Sequence, residues 1–182
     1  MKRRILQILV PCIILAVVAG LYLIKNPPVS KQESDGIEEA AVPEGGADFS
    51  LAATEAIDFE TMSSYDLPMI IDYGSDSCIP CKQMAPVLET MNKEMENVAF
   101  IKFVDVWKYT EAANNVPVQV IPTQVIVNAD GTPFVPSDEL AAQIEFVQYM
   151  SKDTGEHVFT VHQGGLTEEQ MRMILAEMGV GE

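Results

Sequence analysis

The sequence predicts an α/β domain in which a mixed β-sheet is covered by helices on both faces. Three observations carry this expectation. Short apolar runs alternate with helical stripes, a turn-forming Asn128-Ala-Asp-Gly131 follows one of those runs, and the chain closes on a capped amphipathic helix. In order, Asp58 caps a short helix reaching about Ser64, which Leu67-Pro68 stops. Met69 to Tyr73 is an apolar run of buried-strand type. Cys81, Met84, Ala85, Leu88, Met91 and Met95 recur at helical spacing, giving a helix from about Cys78 to Glu96 with one core-facing stripe, interrupted by Pro86. A second strand spans Val98 to Val104, a short helix Tyr109 to Asn114, and a third strand Thr123 to Val127. The Asn128–Gly131 turn predicts a hairpin-like reversal into an antiparallel partner. A strand at about His157–Val161 and a helix capped by Thr167, with Glu169 and Gln170 at the capping-box positions, complete the pattern.

This pattern occupies only part of the 182 residues, because the chain divides by composition. Lys2, Arg3 and Arg4 precede Ile5 to Ile24, a run of 20 residues without a charge, and Lys25 closes it. The length suits a membrane-spanning helix with a cytoplasmic N-terminus, the basic flank lying inside. The alternative is a secretory signal cleaved near Val17-Val18-Ala19. Either reading places the rest of the chain outside the cytoplasm, membrane-anchored in the first case and secreted in the second. Residues 26–47 are rich in proline, glycine and acids with almost nothing to bury. They read as a flexible acidic linker with a reach of about 25 Å. Residues 48–182 form the folded domain. Residues 26–182 hold seven basic groups against all 27 acidic ones, a net charge of −20. Such a surface repels phosphate backbones, so nucleic acid is not an expected partner.

Chemistry concentrates at Cys78-Ile79-Pro80-Cys81. Two thiols at this spacing, entering a helix after a buried strand, can close a small disulfide ring and reopen it. The first sulfur stands where unpaired helix N–H groups and the dipole stabilise a thiolate, and the second is placed to resolve a mixed disulfide. A static structural disulfide and a zinc site are the competing readings. Zinc needs two more ligands, and the remaining candidates are Cys12 in the apolar run and His157 and His162, which fall on opposite faces of a strand. No metal and no cofactor is therefore expected. Asp72, a carboxyl within an apolar strand, would have its charged form disfavoured by burial, which suits a proton shuttle.

These residues resemble the thioredoxin family over most of the folded domain. Met69 to Pro86, MIIDYGSDSCIPCKQMAP, is similar to the family's strand, active site and kinked second helix. The resemblance implies a thioredoxin fold and a thiol–disulfide oxidoreductase with Cys78 and Cys81 as its redox disulfide. It implies further that Asp72 assists proton transfer to the resolving cysteine, that Lys102 neighbours that acid, and that Ile121-Pro122-Thr123 is the cis-proline loop that pairs with substrate. Gly164 and Gly165 resemble the glycine corner beside the site. The chain departs from the family in three places. Ser77 and Gly74 stand where tryptophans are usual, and about 20 extra residues, Pro136 to Glu156, carry Leu140, Ile144 and Val147 on one helical stripe. This helical insertion before the last strand reads as a packed addition or as a partner-specific wall near the site. Pro80 and Ile121 resemble reducing members of the family. The expected function is reduction of disulfides in exported proteins or apocytochromes, supplied with electrons by a membrane-embedded thiol donor. A disulfide-forming oxidase or isomerase, and a non-catalytic binding module, are the alternatives.

Overall fold

The computed structural model describes residues 46–181. The expected membrane or signal helix and nearly all of the linker lie outside the described residues. Among those described, no helix is long and apolar enough to cross a membrane.

The domain is built on a six-stranded sheet. Its strands are β1 (Ala52–Ala53), β2 (Met69–Gly74), β3 (Phe100–Asp105), β4 (Thr123–Val127), β5 (Val147–Met150) and β6 (His157–Gln163), in the spatial order β1-β3-β2-β4-β6-β5. The β1, β3 and β2 strands run parallel, and β4, β6 and β5 continue the sheet in antiparallel pairs. The helices are α1 (Phe59–Ser63), α2 (Ile79–Glu94), α3 (Asp138–Ala141) and α4 (Glu168–Glu177).

Strand alternation sorts side chains into two cores. On one face Ile70, Ile101 and Ile126 meet Met84, Leu88 and Met91 of α2 and Met171, Ile174 and Leu175 of α4. On the other, Ile71, Tyr73, Phe100, Val104, Val125 and Val161 are covered by Phe59 and Met62 of α1, by Ala112 of a short 3₁₀ helix, Thr110–Ala113, that stands where a short helix was expected, and by Val116 and Val118 of the loop after it. The sheet is thus mixed and covered on both sides, as the alternating pattern predicts. Helix boundaries follow local signals. Asp58 accepts from the Thr61 N–H at 3.0 Å to start α1. At α4 the Thr167 hydroxyl accepts from the Gln170 N–H (3.2 Å) while the Gln170 side chain accepts from the Thr167 N–H (2.9 Å), a complete capping box.

Two expectations are corrected. The Asn128–Gly131 turn forms, with Gly131 at φ +81° and the Asn128 N–H donating to the Thr132 carbonyl, but the segment after it makes only a single bridge, Val127 to Pro133. The bridge is flanked by that hydrogen bond and by one from the Phe134 N–H to the Ile126 carbonyl, and both edges of β4 are taken by antiparallel strands, β2 on one side and β6 on the other. The 136–156 insertion is helical for one turn only. Leu140 and Ile144 share the core face of α2 and α4, the Ile144 N–H bonding to the Leu140 carbonyl at 2.9 Å. Val147 instead opens β5, opposite Val161, and packs on the other face of the sheet. The unpaired edge of β6 offers hydrogen-bond partners to this valine- and tyrosine-bearing segment, and the sheet gains an edge strand where a longer helix was expected.

Candidate active site

The cysteine ring sits at the junction of β2 and α2. Gly74 ends β2 and residues 75–77 turn the chain, with the Cys78 N–H donating to the Ser75 carbonyl (3.1 Å) and the Ser77 N–H to the Ser75 hydroxyl (3.2 Å). The end of β3 anchors this turn. Asp105 accepts from the Asp76 N–H (3.0 Å) with one oxygen and from the Trp107 and Lys108 N–H groups (3.0 and 3.1 Å) with the other, while the Lys108 ammonium pairs with Asp76. Cys78 is the N-cap of α2, and its sulfur accepts from the Cys81 N–H at 3.4 Å. The two cysteines form a disulfide with Cα atoms 5.3 Å apart. When the bond opens, the first sulfur faces unpaired first-turn N–H groups and the positive end of the dipole, which favour its thiolate.

A second wall comes from β4 and β6. The Ile121–Pro122 bond is cis, and the Ile121 carbonyl lies 3.8 Å from the Cys78 sulfur. Gly164, at φ +114°, lets its N–H reach the Pro122 carbonyl at 2.9 Å, tying the loop after β6 to the loop before β4. A φ of that sign is strained for a side-chain-bearing residue. These contacts bring Cys78, Ile121, Pro122 and Gly164 to one end of the sheet. The Thr123 side chain points away from the ring. It is fully buried between β2 and β6, and its hydroxyl folds back to the Val120 carbonyl (2.7 Å), so it shapes the loop from within. Two apolar side chains stand exposed beside it, Ile79 of the ring at 73% and Val120 at 51%.

Beneath the ring lies Asp72, fully buried on the α2 face of the sheet. Burial pushes its carboxyl up to about 7, opposed by a hydrogen bond from Gln124 Nε2 to Oδ1 at 2.5 Å. Oδ2 accepts no hydrogen bond from the described residues. A side-chain carbon at Gly74 would stand 3.2 Å from this Oδ2, 3.2 Å from the Cys81 sulfur and 3.0 Å from the Phe103 ring. The free oxygen and the second sulfur therefore border the same small space, and only glycine leaves it open. The tryptophan usual at position 74 has no room here, because Phe103 closes the site from β3.

Lys102 requires correction. Its strand position is opposite Ile71, on the far face of the sheet from Asp72, and its buried ammonium pairs with Asp48 at 2.8 Å and meets the Ser50 hydroxyl at 3.4 Å. That pairing holds Asp48 at about 2. The acid that shares the disulfide's face has Phe103 as its neighbour on β3 instead. Gln124 is the residue that sequence reasoning passed over. It was legible as a lone amide in the apolar run TQVIV, yet only the β2–β4 register, which sets Gln124 opposite Asp72, gives it a partner.

A disulfide at a helix N-terminus, faced by a cis-proline loop and underlain by a buried carboxyl, defines a thiol–disulfide exchange domain. A family model described as Thioredoxin matches residues 51–152, and the chain belongs to the thioredoxin family. It is similar to "Thioredoxin Y, chloroplastic" of Oryza sativa subsp. japonica, 28% identical over 64% of this chain and 75% of that protein. A thioredoxin of Borreliella burgdorferi is 36% identical over 38% of this chain and 60% of its own length. Among solved structures, a Fasciola hepatica thioredoxin covers 71% of this chain and 99% of its own at 23% identity, with a TM-score of 0.47. The chain is accordingly a thiol–disulfide oxidoreductase, with Cys78 and Cys81 as its CxxC pair.

Proposed function

We propose that this oxidoreductase works outside the cytoplasm, held to the membrane by residues 5–24, and reduces disulfides of exported proteins. The direction rests on Pro80 before the second cysteine and Ile121 before the cis-proline, which resemble reducing members of the family, and the observation that carries the exchange chemistry is the build of the ring. The Cys78 sulfur lies at the α2 N-terminus beside the Ile121 carbonyl, and the Cys81 sulfur borders the small space that the buried Asp72 Oδ2 also borders, an order suited to attack by the first and resolution by the second. Cys78 thiolate attacks a substrate disulfide and displaces one substrate sulfur as thiolate. Cys81, its proton taken by Asp72, then attacks the Cys78 sulfur, closing the ring and releasing the second substrate sulfur. Two electrons pass from the dithiol to the substrate, and a membrane-embedded thiol donor restores it. The location is supported by the basic tip: Lys2, Arg3 and Arg4 directly precede the apolar run, and clustered cations at that end favour a cytoplasmic N-terminus with the remainder on the other side.

The test joins a potential to a trap. Equilibrated against a glutathione series, the pair is expected near −270 mV, whereas a value near −120 mV would make the protein an oxidant. In cells, the full-length C81S variant is expected to accumulate mixed disulfides through Cys78 with exported proteins. Partners drawn from the cytoplasm would overturn the location.

A further inference from the structure

Gln124 does not touch the sulfurs, yet it makes the described hydrogen bond that orients the carboxyl beside them. Its Nε2 donates to Asp72 Oδ1 at 2.5 Å and lies 3.4 Å from the Met84 sulfur on α2. Both side chains are fully buried, so neither is aligned by solvent. The consequence is an asymmetric carboxyl. Oδ1 is engaged by the amide, and Oδ2, without a hydrogen bond from the described residues, is turned to the space it shares with the Cys81 sulfur beside Gly74. We propose that Gln124 is a positioning residue for disulfide exchange: by engaging Oδ1 it aims Oδ2 at Cys81 and favours the ionised carboxyl that takes the Cys81 proton. The inference rests on the reductive direction, in which Cys81 must lose a proton before it attacks.

The chemistry of the clamp is set by its donor. An amide N–H stabilises a carboxylate more than a carboxylic acid, so it counters the burial that keeps the group protonated. In the resolving step the Cys81 S–H proton moves to Oδ2 and the Cys81 sulfur bonds to Cys78. The bond between Cys78 and the substrate breaks, and its electron pair leaves on the substrate sulfur. A carboxyl free to rotate or held protonated would slow that step without touching the first attack, which belongs to Cys78.

The other groups around Asp72 do not duplicate this role. On β3, Phe103 is its direct neighbour, Lys102 faces the opposite side, and Asp105 is occupied by the active-site turn. On α2, Cys81 borders the space at Oδ2 and Met84 meets Gln124, while Lys82 and Glu89 line a cleft of about 210 Å³ that Cys81 and Phe103 also border, neither making a hydrogen bond or ion pair to Asp72 among the described residues. On β6, His162 lies beyond Gln124 in register and bonds through its ring to the Glu145 carbonyl.

The experiment uses the reduced full-length chain and a disulfide-bonded peptide. Single-turnover reactions, quenched in acid from pH 5 to 9, separate formation of the Cys78 mixed disulfide from its decay. In the parent, decay is expected to inflect near pH 7. In Gln124→Leu the inflection is expected to move up by about one pH unit, with a several-fold slower decay at pH 7 and formation unchanged, as loss of a charge-assisted hydrogen bond predicts. In an Asp72→Asn background, Gln124→Leu is expected to add nothing. An unmoved inflection, or an equal effect with and without Asp72, overturns the proposal. Should Gln124→Leu fail to fold, the parent carries the test alone: in NMR the Gln124 side-chain amide protons are expected to titrate in step with the Asp72 carboxyl carbon, and amide signals flat through that titration refute the clamp. That reading is independent of direction, so a protein that proves to be an oxidant would fail the reductase reading while leaving the Gln124–Asp72 pairing separately measured.

Discussion

At the scale of single residues, Asp72 carries a cost that the fold tolerates for chemistry. Its carboxyl ionises near 3.8 when exposed and is held at about 7 by burial, with the Gln124 bond pulling the other way. Between those values the folded chain holds a proton that the unfolded chain has released, so unfolding releases a proton and stability falls as pH rises. Above 7 both states are ionised and the loss is complete, roughly 4 kcal/mol. D72N cannot ionise. Its urea midpoint is expected to exceed that of the parent at pH 8 and to lose the advantage at pH 4, while disulfide exchange slows. An equal difference at the two pH values would show that Asp72 imposes no such burden. This is the pattern of a residue kept for function at the expense of stability.

At the scale of elements, the helices are set by local signals and the sheet by competition for partners. The Thr167–Gln170 box satisfies two orphan donors at the start of α4, and Met171, Ile174 and Leu175 then reach the core without a break. T167A is expected to lower stability by about 1 kcal/mol, read as a lower urea midpoint with an unchanged slope and an unchanged reduction potential. A shifted potential would mean that α4 bears on the disulfide. The capping box and the stripes were legible because each depends on residues within one or two turns. The insertion was only half legible. Leu140 and Ile144 obey the helical period, but Val147 obeys the edge of β6, and no local rule reveals that an edge is vacant.

For the domain as a whole, β2, β3 and β4 contribute alternate residues to both cores, so neither face can open alone. Residues 46–182 expressed by themselves are expected to unfold in one cooperative transition and to keep the reduction potential of the full-length chain. Two resolved transitions would show that the faces are independent. The same sharing of strands places the site. The ends of β2 and β3 hold the turn before Cys78, the loop entering β4 supplies Ile121 and Pro122, and the loop leaving β6 supplies Gly164, so chemistry gathers along one rim of the sheet.

Sequence by itself determined the alternation of strands and helices, the two sheet faces, the helix caps and the cysteine pair, because these depend on periodicity and on contacts a few residues long. It also marked Asp72 as a carboxyl where none should be cheap. Only the tertiary structure decided which neighbours that carboxyl has. Parallel β2–β3 register sends Lys102 to the opposite face and to Asp48, while antiparallel β2–β4 register, joining residues 52 apart, sets Gln124 against Asp72. Strand register is fixed by the packing of whole faces. A one-residue slip would reverse every side chain, so the partner of a buried polar group is a property of the sheet and not of the segment that carries it.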